Sequence, residues 1–167
     1  GMYIANIRSG YWAEWWEGRT TPTEFGTIKN ITLRNISYRN PANNGVLIEG
    51  RKGREIENLV LENIHLPSSG GGSKHKIPVE NTQAYPVSNV IYGQLPAYGF
   101  YIRHAKTVTM KNVWCWPQSP EPRNCLVFTN VTNLDTSGLH QDIAPENMLP
   151  AVYFEDLENG MMLSTMG

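Results

Sequence analysis

Residues 56–64 read Ile56-Glu-Asn-Leu-Val-Leu-Glu-Asn63-Ile64, and variants of this phrase recur along the 167-residue chain. The copies are Ile28-Lys-Asn-Ile-Thr-Leu-Arg-Asn35-Ile36, Ala105-Lys-Thr-Val-Thr-Met-Lys-Asn112-Val113, Val131-Thr-Asn-Leu-Asp-Thr-Ser-Gly138-Leu139 and a degenerate copy from Leu157. They start at 28, 56, 105, 131 and 157, so the intervals are 28, 49, 26 and 26 residues. A fixed period of this size indicates a solenoid in which each unit buries its apolar face against the next.

A second phrase keeps the same period. Its copies are Gly45-Val-Leu-Ile-Glu-Gly50, Gly99-Phe-Tyr-Ile-Arg-His104, Cys125-Leu-Val-Phe-Thr-Asn130 and Ala151-Val-Tyr-Phe-Glu-Asp156. Both phrases alternate apolar and polar residues, which is typical of strands, and no segment shows sustained helical periodicity. We therefore predict an all-β fold in which strands of successive coils pair in parallel, a parallel β-helix. A leucine-rich repeat is the rival solenoid, but it usually has a shorter period and a denser leucine framework.

One position of the repeated phrase also predicts where the chain turns. Asn35, Asn63 and Asn112 occupy this position, and Asn tolerates the left-handed backbone conformation that a sharp turn needs. Gly138 takes that position in the fourth copy and is the other residue suited to positive φ. Stacked coils are expected to bring the three amides into a ladder.

Two segments fall outside the repeat. Residues 1–25 are rich in aromatic side chains, including Trp12, Trp15 and Trp16, and we expect them to form a cap or first coil. These tryptophans either stack on sugar rings or pack over the open end of the solenoid. The β-helix itself is assigned to residues 26–167, with a long Gly- and Pro-rich loop inserted at 66–97. Loops of this length often carry function.

Composition excludes several classes of partner and site. The formal net charge of -1 argues against nucleic-acid binding, and no apolar run is long enough to span a membrane. The four histidines are scattered, so neither a metal site nor a cofactor is expected. Cys115 and Cys125 either close a small loop or remain buried thiols. Gly1 before Met2 is typical of a scar left by tag removal.

Three blocks resemble the later coils of glycoside hydrolase family 28, the polygalacturonase-like proteins, especially bacterial members. They are the 56–64 phrase, the glycine-rich loop after it and Leu95-Pro-Ala-Tyr-Gly-Phe-Tyr-Ile-Arg-His104, and the resemblance covers roughly residues 26–160. The resemblance implies a right-handed, single-stranded, pectin-lyase-like β-helix, here of about five to six coils. It also implies an inverting hydrolase, an acidic plant polysaccharide such as pectin as partner, and a periplasmic or secreted location.

The catalytic motifs of that family are absent from the sequence. The family uses Asn-x-Asp, Asp-Asp, Gly-His-Gly and Arg-x-Lys in that order, and only Asn133-Leu-Asp135 matches, by letters alone. We assign that match to the turn scaffold and expect no catalytic residue in this chain. The predicted function is that of a β-helix portion of a pectin-active hydrolase-like protein. The alternative is a non-catalytic module that binds polysaccharide or another protein.

Cations are the natural partners of galacturonate carboxylates. Candidate substrate-binding residues are therefore Arg103, His104 and Lys106 at the end of one strand phrase, and Arg51 and Arg54 in the turn between two phrases. The alternative is that Arg103 belongs to a solvated or salt-bridged face of the sheet, because the same position in the other copies of its phrase holds Glu49, Thr129 and Glu155. Glu49 and Glu55 are not expected to converge as a catalytic pair. The open end of the solenoid makes a homo-oligomer an additional expectation.

Overall fold

A computed structural model of the chain describes residues 6–8, 26–38, 43–73, 77, 93–141 and 151–161. Within these ranges the protein is all-β and has no α-helix. The strands are β1 (Asn6–Arg8), β2 (Lys29–Ser37), β3 (Val46–Glu49), β4 (Ile56–Ser68), β5 (Ala97–Pro117), β6 (Asn124–Asp135), β7 (Leu139–Gln141) and β8 (Val152–Met161). The predicted all-β fold with parallel strand pairing is confirmed.

All eight strands belong to one hydrogen-bonded sheet, and every pair of strands is parallel. One path through the sheet runs β1-β3-β5-β4-β2, while β6 joins β5 to β8 and β7 pairs with β5. The register follows the sequence period: Leu59 pairs with Val108, and Val108 pairs with Leu134. Equivalent positions of successive phrases therefore lie side by side and form columns that cross the strands.

The long strands contain sharp changes of direction. Strand β5 has 21 residues, and three of them have positive φ: His104 at 52°, Thr107 at 58° and Asn112 at 50°. Each marks a corner between straight segments, because a left-handed residue redirects the chain. The register aligns these corners with positive-φ residues of the neighbouring strands. The first corner column holds His104, Asn130 and Asp156; the second holds Asn30, Asn58, Thr107, Asn133 and Asn159; the third holds Asn35, Asn63 and Asn112.

The main core is built from the apolar residues that alternate along each strand. Leu59, Leu61, Val108 and Met110 are fully buried, while the residues between them face outward and are half-buried or exposed. Burying one such side chain contributes about 1.5–3 kcal/mol. The columns of these residues cross β2, β4, β5, β6 and β8, so one continuous apolar cluster joins the strands.

A smaller apolar cluster lies on the other side of β3, β5 and β6. It contains Leu47, Tyr101 and Val127 from consecutive strands, covered by Leu95 and Ala97 from the segment that leads into β5. Strand β4 continues to Ser68 and β5 begins at Ala97, so strands extend into both ends of the predicted 66–97 insertion. Residues 74–76 and 78–92 lie outside the described residues.

A buried ion pair fixes the two ends of this insertion. Glu121 and Arg123 are almost completely excluded from solvent, and Arg123 Nη2 donates a 2.7 Å hydrogen bond to Glu121 Oε2. The same carboxylate oxygen accepts from the backbone N–H of Gly72 at 3.3 Å, and Arg123 Nη1 donates to the Leu95 carbonyl at 3.2 Å. A pair this deeply buried needs such additional hydrogen bonds to offset the cost of removing both charges from water.

Candidate functional site

The candidate site is a groove on the outer surface at the second corner column. It has a volume of about 420 Å³ and crosses β4, β5, β6 and β8. With neighbouring strands about 4.8 Å apart, it extends for about 14 Å along the stack. The lining residues are Glu57, Asn58, Lys106, Thr107, Thr132, Asn133, Glu158 and Asn159.

The repeat explains why these residues meet. Positions two and three of the 56–64 phrase are Glu57 and Asn58, and the same positions of the next copies supply Lys106 with Thr107 and Thr132 with Asn133. Asn58, Thr107, Asn133 and Asn159 all have positive φ, so the corner holds their short polar side chains in a row. Asn and Thr side chains both donate and accept hydrogen bonds, which suits a ligand rich in hydroxyl groups.

Three charged side chains line the groove. Glu57 and Glu158 carry carboxylates, and Lys106 carries an ammonium. Glu57 also bridges to Lys29 at 2.7 Å, on its other side in the register. Lys106 Nζ lies 3.3 Å from Glu55 Oε2, and the Lys106 side chain remains about half exposed. The lining alone is therefore slightly acidic.

The predicted cationic turn lies next to the groove. Arg51 and Arg54 exchange two backbone hydrogen bonds, of 3.2 Å and 2.8 Å, and close a tight turn between β3 and β4. Glu55 follows this turn and links it to Lys106. Burial alone raises the pKa of the Glu55 carboxyl, but hydrogen bonds from backbone amides, including that of Gly53, and from Lys106 outweigh burial and hold the pKa below its ordinary value. Glu55 therefore stays ionised and keeps Lys106 at the turn.

Arg103 and His104 take a different position from Lys106. The Arg103 side chain is only 6% exposed, with Nη1 3.8 Å from Glu49 Oε1 and Cζ 5.7 Å from the centre of the Tyr101 ring. His104 is buried at the first corner, where its Nδ1 lies 2.7 Å from Asn130 Nδ2. Lys106 is thus linked through Glu55 to the turn that contains Arg51 and Arg54, whereas Arg103 and His104 are buried. Glu49 and Glu55 each bridge to a different cation.

The third corner column contains the asparagines that the sequence singles out. Asn63 Nδ2 donates to Asn35 Oδ1 at 2.7 Å, and Asn112 Nδ2 donates to Asn63 Oδ1 at 2.9 Å. The expectation of a positive φ at Gly138 is wrong, because Gly138 is not among the residues with left-handed backbone. Glycine is needed there for space, since a Cβ atom would lie 2.7 Å from the backbone nitrogen of Asn112.

An exposed aromatic column lies beside this ladder. The Trp114 ring stacks on His140 with centroids 4.3 Å apart and on His65 with centroids 6.2 Å apart. Trp114 Nε1 donates a 2.8 Å hydrogen bond to Asn112 Oδ1. Because both faces of the Trp114 indole meet imidazole rings, we do not assign this residue a role in stacking on sugars. Trp12, Trp15 and Trp16, the tryptophans proposed from the sequence, lie outside the described residues.

The sequence reasoning did not select most of the groove residues. Asn58, Thr107, Thr132, Asn133, Glu158 and Asn159 were not proposed as site residues, although Asn recurs at position three of the phrase in Asn30, Asn58 and Asn133. That recurrence was the available signal. Asn133 lies at a corner with φ 54°, and Asp135 accepts a 2.9 Å hydrogen bond from the Ser137 backbone. Asn133 therefore forms a corner and also lines the groove, while Asp135 stabilises the turn at Ser137.

Across residues 6–8, 26–38, 43–73, 77, 93–141 and 151–161, no cluster of three or more His, Cys, Asp or Glu side chains is arranged to hold a metal ion. The same ranges contain no helix with the length and apolar character needed to cross a bilayer. Comparison of the chain with protein-family models, curated proteins and solved structures finds no match in any of the three.

Proposed function

We propose that this chain is a polysaccharide-binding stretch of right-handed parallel β-helix, related to pectin-active glycoside hydrolases and without its own catalytic residues. The resemblance of residues 26–160 to the polygalacturonase-like family supports the glycan class. The parallel register, the three corner columns and the enclosed apolar cluster support the β-helix. An experimental structure with antiparallel hairpins at residues 56–64 and 105–113 would overturn this part.

The observation that carries the binding proposal is the groove that crosses four strands. Its volume lies in the range typical of ligand sites, and its row of Asn and Thr side chains offers donors and acceptors at regular intervals. A glycan that lies along the stack meets a new polar residue at each strand, about every 4.8 Å.

The charges of the groove lining and of the adjacent turn indicate which class of glycan fits the site. Two carboxylates and one ammonium line the groove, so a chain with a carboxylate on every sugar is not matched by the lining alone. The adjacent turn adds Arg51, Lys52 and Arg54. We therefore expect an acidic polysaccharide that alternates charged and neutral sugars, with its carboxylates at the turn and neutral hydroxyl groups in the groove.

Two lysines of the same strand provide a matched test. Lys106 lines the groove, whereas Lys111 is also exposed on β5 but lies outside it. Calorimetric titration with rhamnogalacturonan oligosaccharides should show that Lys106→Ala weakens binding about tenfold, the equivalent of one charge-assisted hydrogen bond. Lys111→Ala should bind as the unmodified protein does. Equal effects of the two substitutions, or no binding of any pectic oligosaccharide, would refute the proposal.

Homogalacturonan and neutral oligosaccharides complete the comparison. If carboxylates bind at the turn, Arg54→Ala should weaken the binding of rhamnogalacturonan but not of a neutral oligosaccharide. If the carboxylates instead enter the groove, Glu57→Gln should strengthen the binding of homogalacturonan by removing a like charge, and our assignment of the sugars would be wrong.

Hydrolysis is not expected. Inverting glycosidases need an acid and a base on opposite sides of the bond, and each typically contributes 10²–10⁴-fold. Glu49 is buried near Arg103, and Glu55 holds Lys106. Release of reducing ends from polygalacturonate that scales with protein concentration, and stops with Glu49→Gln or Glu55→Gln, would contradict the non-catalytic assignment.

A further inference from the structure

Strands β2 and β8 are the two edges of a run of paired strands, β2-β4-β5-β6-β8. Among the described residues, β2 pairs only with β4, and β8 pairs only with β6. Each edge strand therefore has a second side on which no described strand lies. Such edges readily accept a further strand.

The core is only partly covered at both edges. Ile31 and Leu33 of β2 are half-buried, whereas their register partners Leu59 and Leu61 in β4 are fully buried. At the other edge Phe154 of β8 is half-buried, although its partner Phe128 in β6 is 1% exposed. Both edges thus present apolar side chains that a further layer of strands would cover.

One outward column has opposite charges at its two ends. It reads Lys29, Glu57, Lys106, Thr132 and Glu158. It begins with a cation at β2, alternates in sign through its first three members and ends with a carboxylate at β8. In this column the β2 edge is therefore complementary in charge to the β8 edge.

We propose that a second copy of this chain docks head to tail on the β8 edge through its own β2 edge. The register continues across the junction, with Lys29 of the second copy beside Glu158. Ile28 then meets Leu157, an apolar pair, and Asn30 meets Asn159, which extends the second corner column. This contact joins two different surfaces and does not close on itself, so it generates linear oligomers.

Charge reversal tests the contact. Sedimentation velocity over a range of protein concentrations should show reversible oligomers that dissociate as ionic strength rises from about 0.05 M to about 0.5 M. Lys29→Glu and Glu158→Lys should each weaken association at least about tenfold, because each places like charges across the junction. Lys52→Glu, the same charge change on the exposed turn between β3 and β4, should associate as the unmodified protein does.

Mixing the two variants separates a broken contact from a misfolded protein. Lys29→Glu carries carboxylates at both edges and Glu158→Lys carries ammonium groups at both, so an equimolar mixture should regain association as an alternating oligomer. A monomeric unmodified protein at all concentrations would overturn the proposal, as would failure of the mixture to associate. If association is seen only after deletion of residues 1–25, that segment rather than a second copy occupies the β2 edge, and the proposal is wrong. None of these outcomes depends on glycan binding.

Discussion

Asn63 donates a 2.7 Å hydrogen bond from its side-chain amide to Oδ1 of Asn35, 28 residues earlier, and both residues have left-handed backbone. Asn63 thus has two roles. Its backbone adopts the left-handed conformation of the corner, and its side-chain amide links this corner to the corner of the neighbouring strand. Asn63 also accepts the corresponding bond from Asn112 at 2.9 Å. It is therefore the central member of the ladder.

Replacing Asn63 separates its two contributions. Asn63→Ala should destabilise the protein by about 2–3 kcal/mol, from about 1–2 kcal/mol of left-handed strain and about 1 kcal/mol of lost hydrogen bonding. Asn63→Gly loses the same bonds but not the conformational tolerance, so it should be more stable than the alanine variant by about 1 kcal/mol. Urea denaturation measures both. Equal stability of the two variants would show that the left-handed corner is not preserved in solution.

The buried Glu121–Arg123 pair gives a second prediction. Arg123→Ala should cost about 3–5 kcal/mol, because it leaves a carboxylate buried without its cation. The double variant Glu121→Leu with Arg123→Met should be less destabilised than the sum of the single variants Glu121→Leu and Arg123→Met, since no charge is then left unpaired. Denaturant titrations of the four proteins form the cycle. Strict additivity would mean that the two side chains do not interact in solution.

The lowered pKa of Asp135 predicts that the stability of the fold depends on pH. Hydrogen bonds from the side chain and backbone of Ser137, with a smaller contribution from the charge of Lys111, hold the pKa of the Asp135 carboxyl below its ordinary value. A depressed folded-state pKa adds stability that is present above the unfolded value of about 3.9 and is lost as pH falls through the folded value. The stability difference between the unmodified protein and Asp135→Asn should therefore shrink below about pH 4. A constant difference from pH 7 to pH 3 would contradict this.

The two thiols should be unreactive in the folded protein. Cys115 and Cys125 are free and buried, and a hydrogen bond with Cys125, together with burial, raises the pKa of the Cys115 thiol well above its ordinary value. Alkylation follows the thiolate, so labelling of Cys115 at pH 8 should be limited by opening of the structure. Mass spectrometry with and without denaturant measures the rates. Rapid labelling of the native protein, or a native disulfide between the two residues, would contradict the observed packing.

The strands could be predicted from the sequence because the alternation of apolar and polar residues that marks them is local and recurs along the chain. Residues 29–37, 56–64 and 105–113 alternate apolar and polar side chains, and the repeat spacing set which positions would meet, as the pairing of Leu59 with Val108 shows. The Asn position that marks the third corner column recurs in the phrase for the same reason.

The remaining features depend on neighbours rather than on residue type. His104 and Thr107 have positive φ although neither residue type signals it strongly, because they share columns with Asn130 and Asn133. The burial of Arg103 beside Glu49 depends on a partner 54 residues away. The groove was missed for a related reason, since its lining becomes apparent only when positions two and three of several phrases are placed side by side.

The uneven spacing of the phrases also bears on how the chain folds. Along the run β2-β4-β5-β6-β8, neighbouring strands join residues 26 to 28 apart, except that the pairing of β4 with β5 joins residues 49 apart. Because the entropy of closing a loop grows only logarithmically, this near doubling costs about 0.6 kcal/mol. Segments between β4 and β5 can therefore lengthen during evolution at little thermodynamic cost. Every pairing nevertheless joins distant residues, so a high contact order should make folding slow, on the scale of milliseconds to seconds or longer.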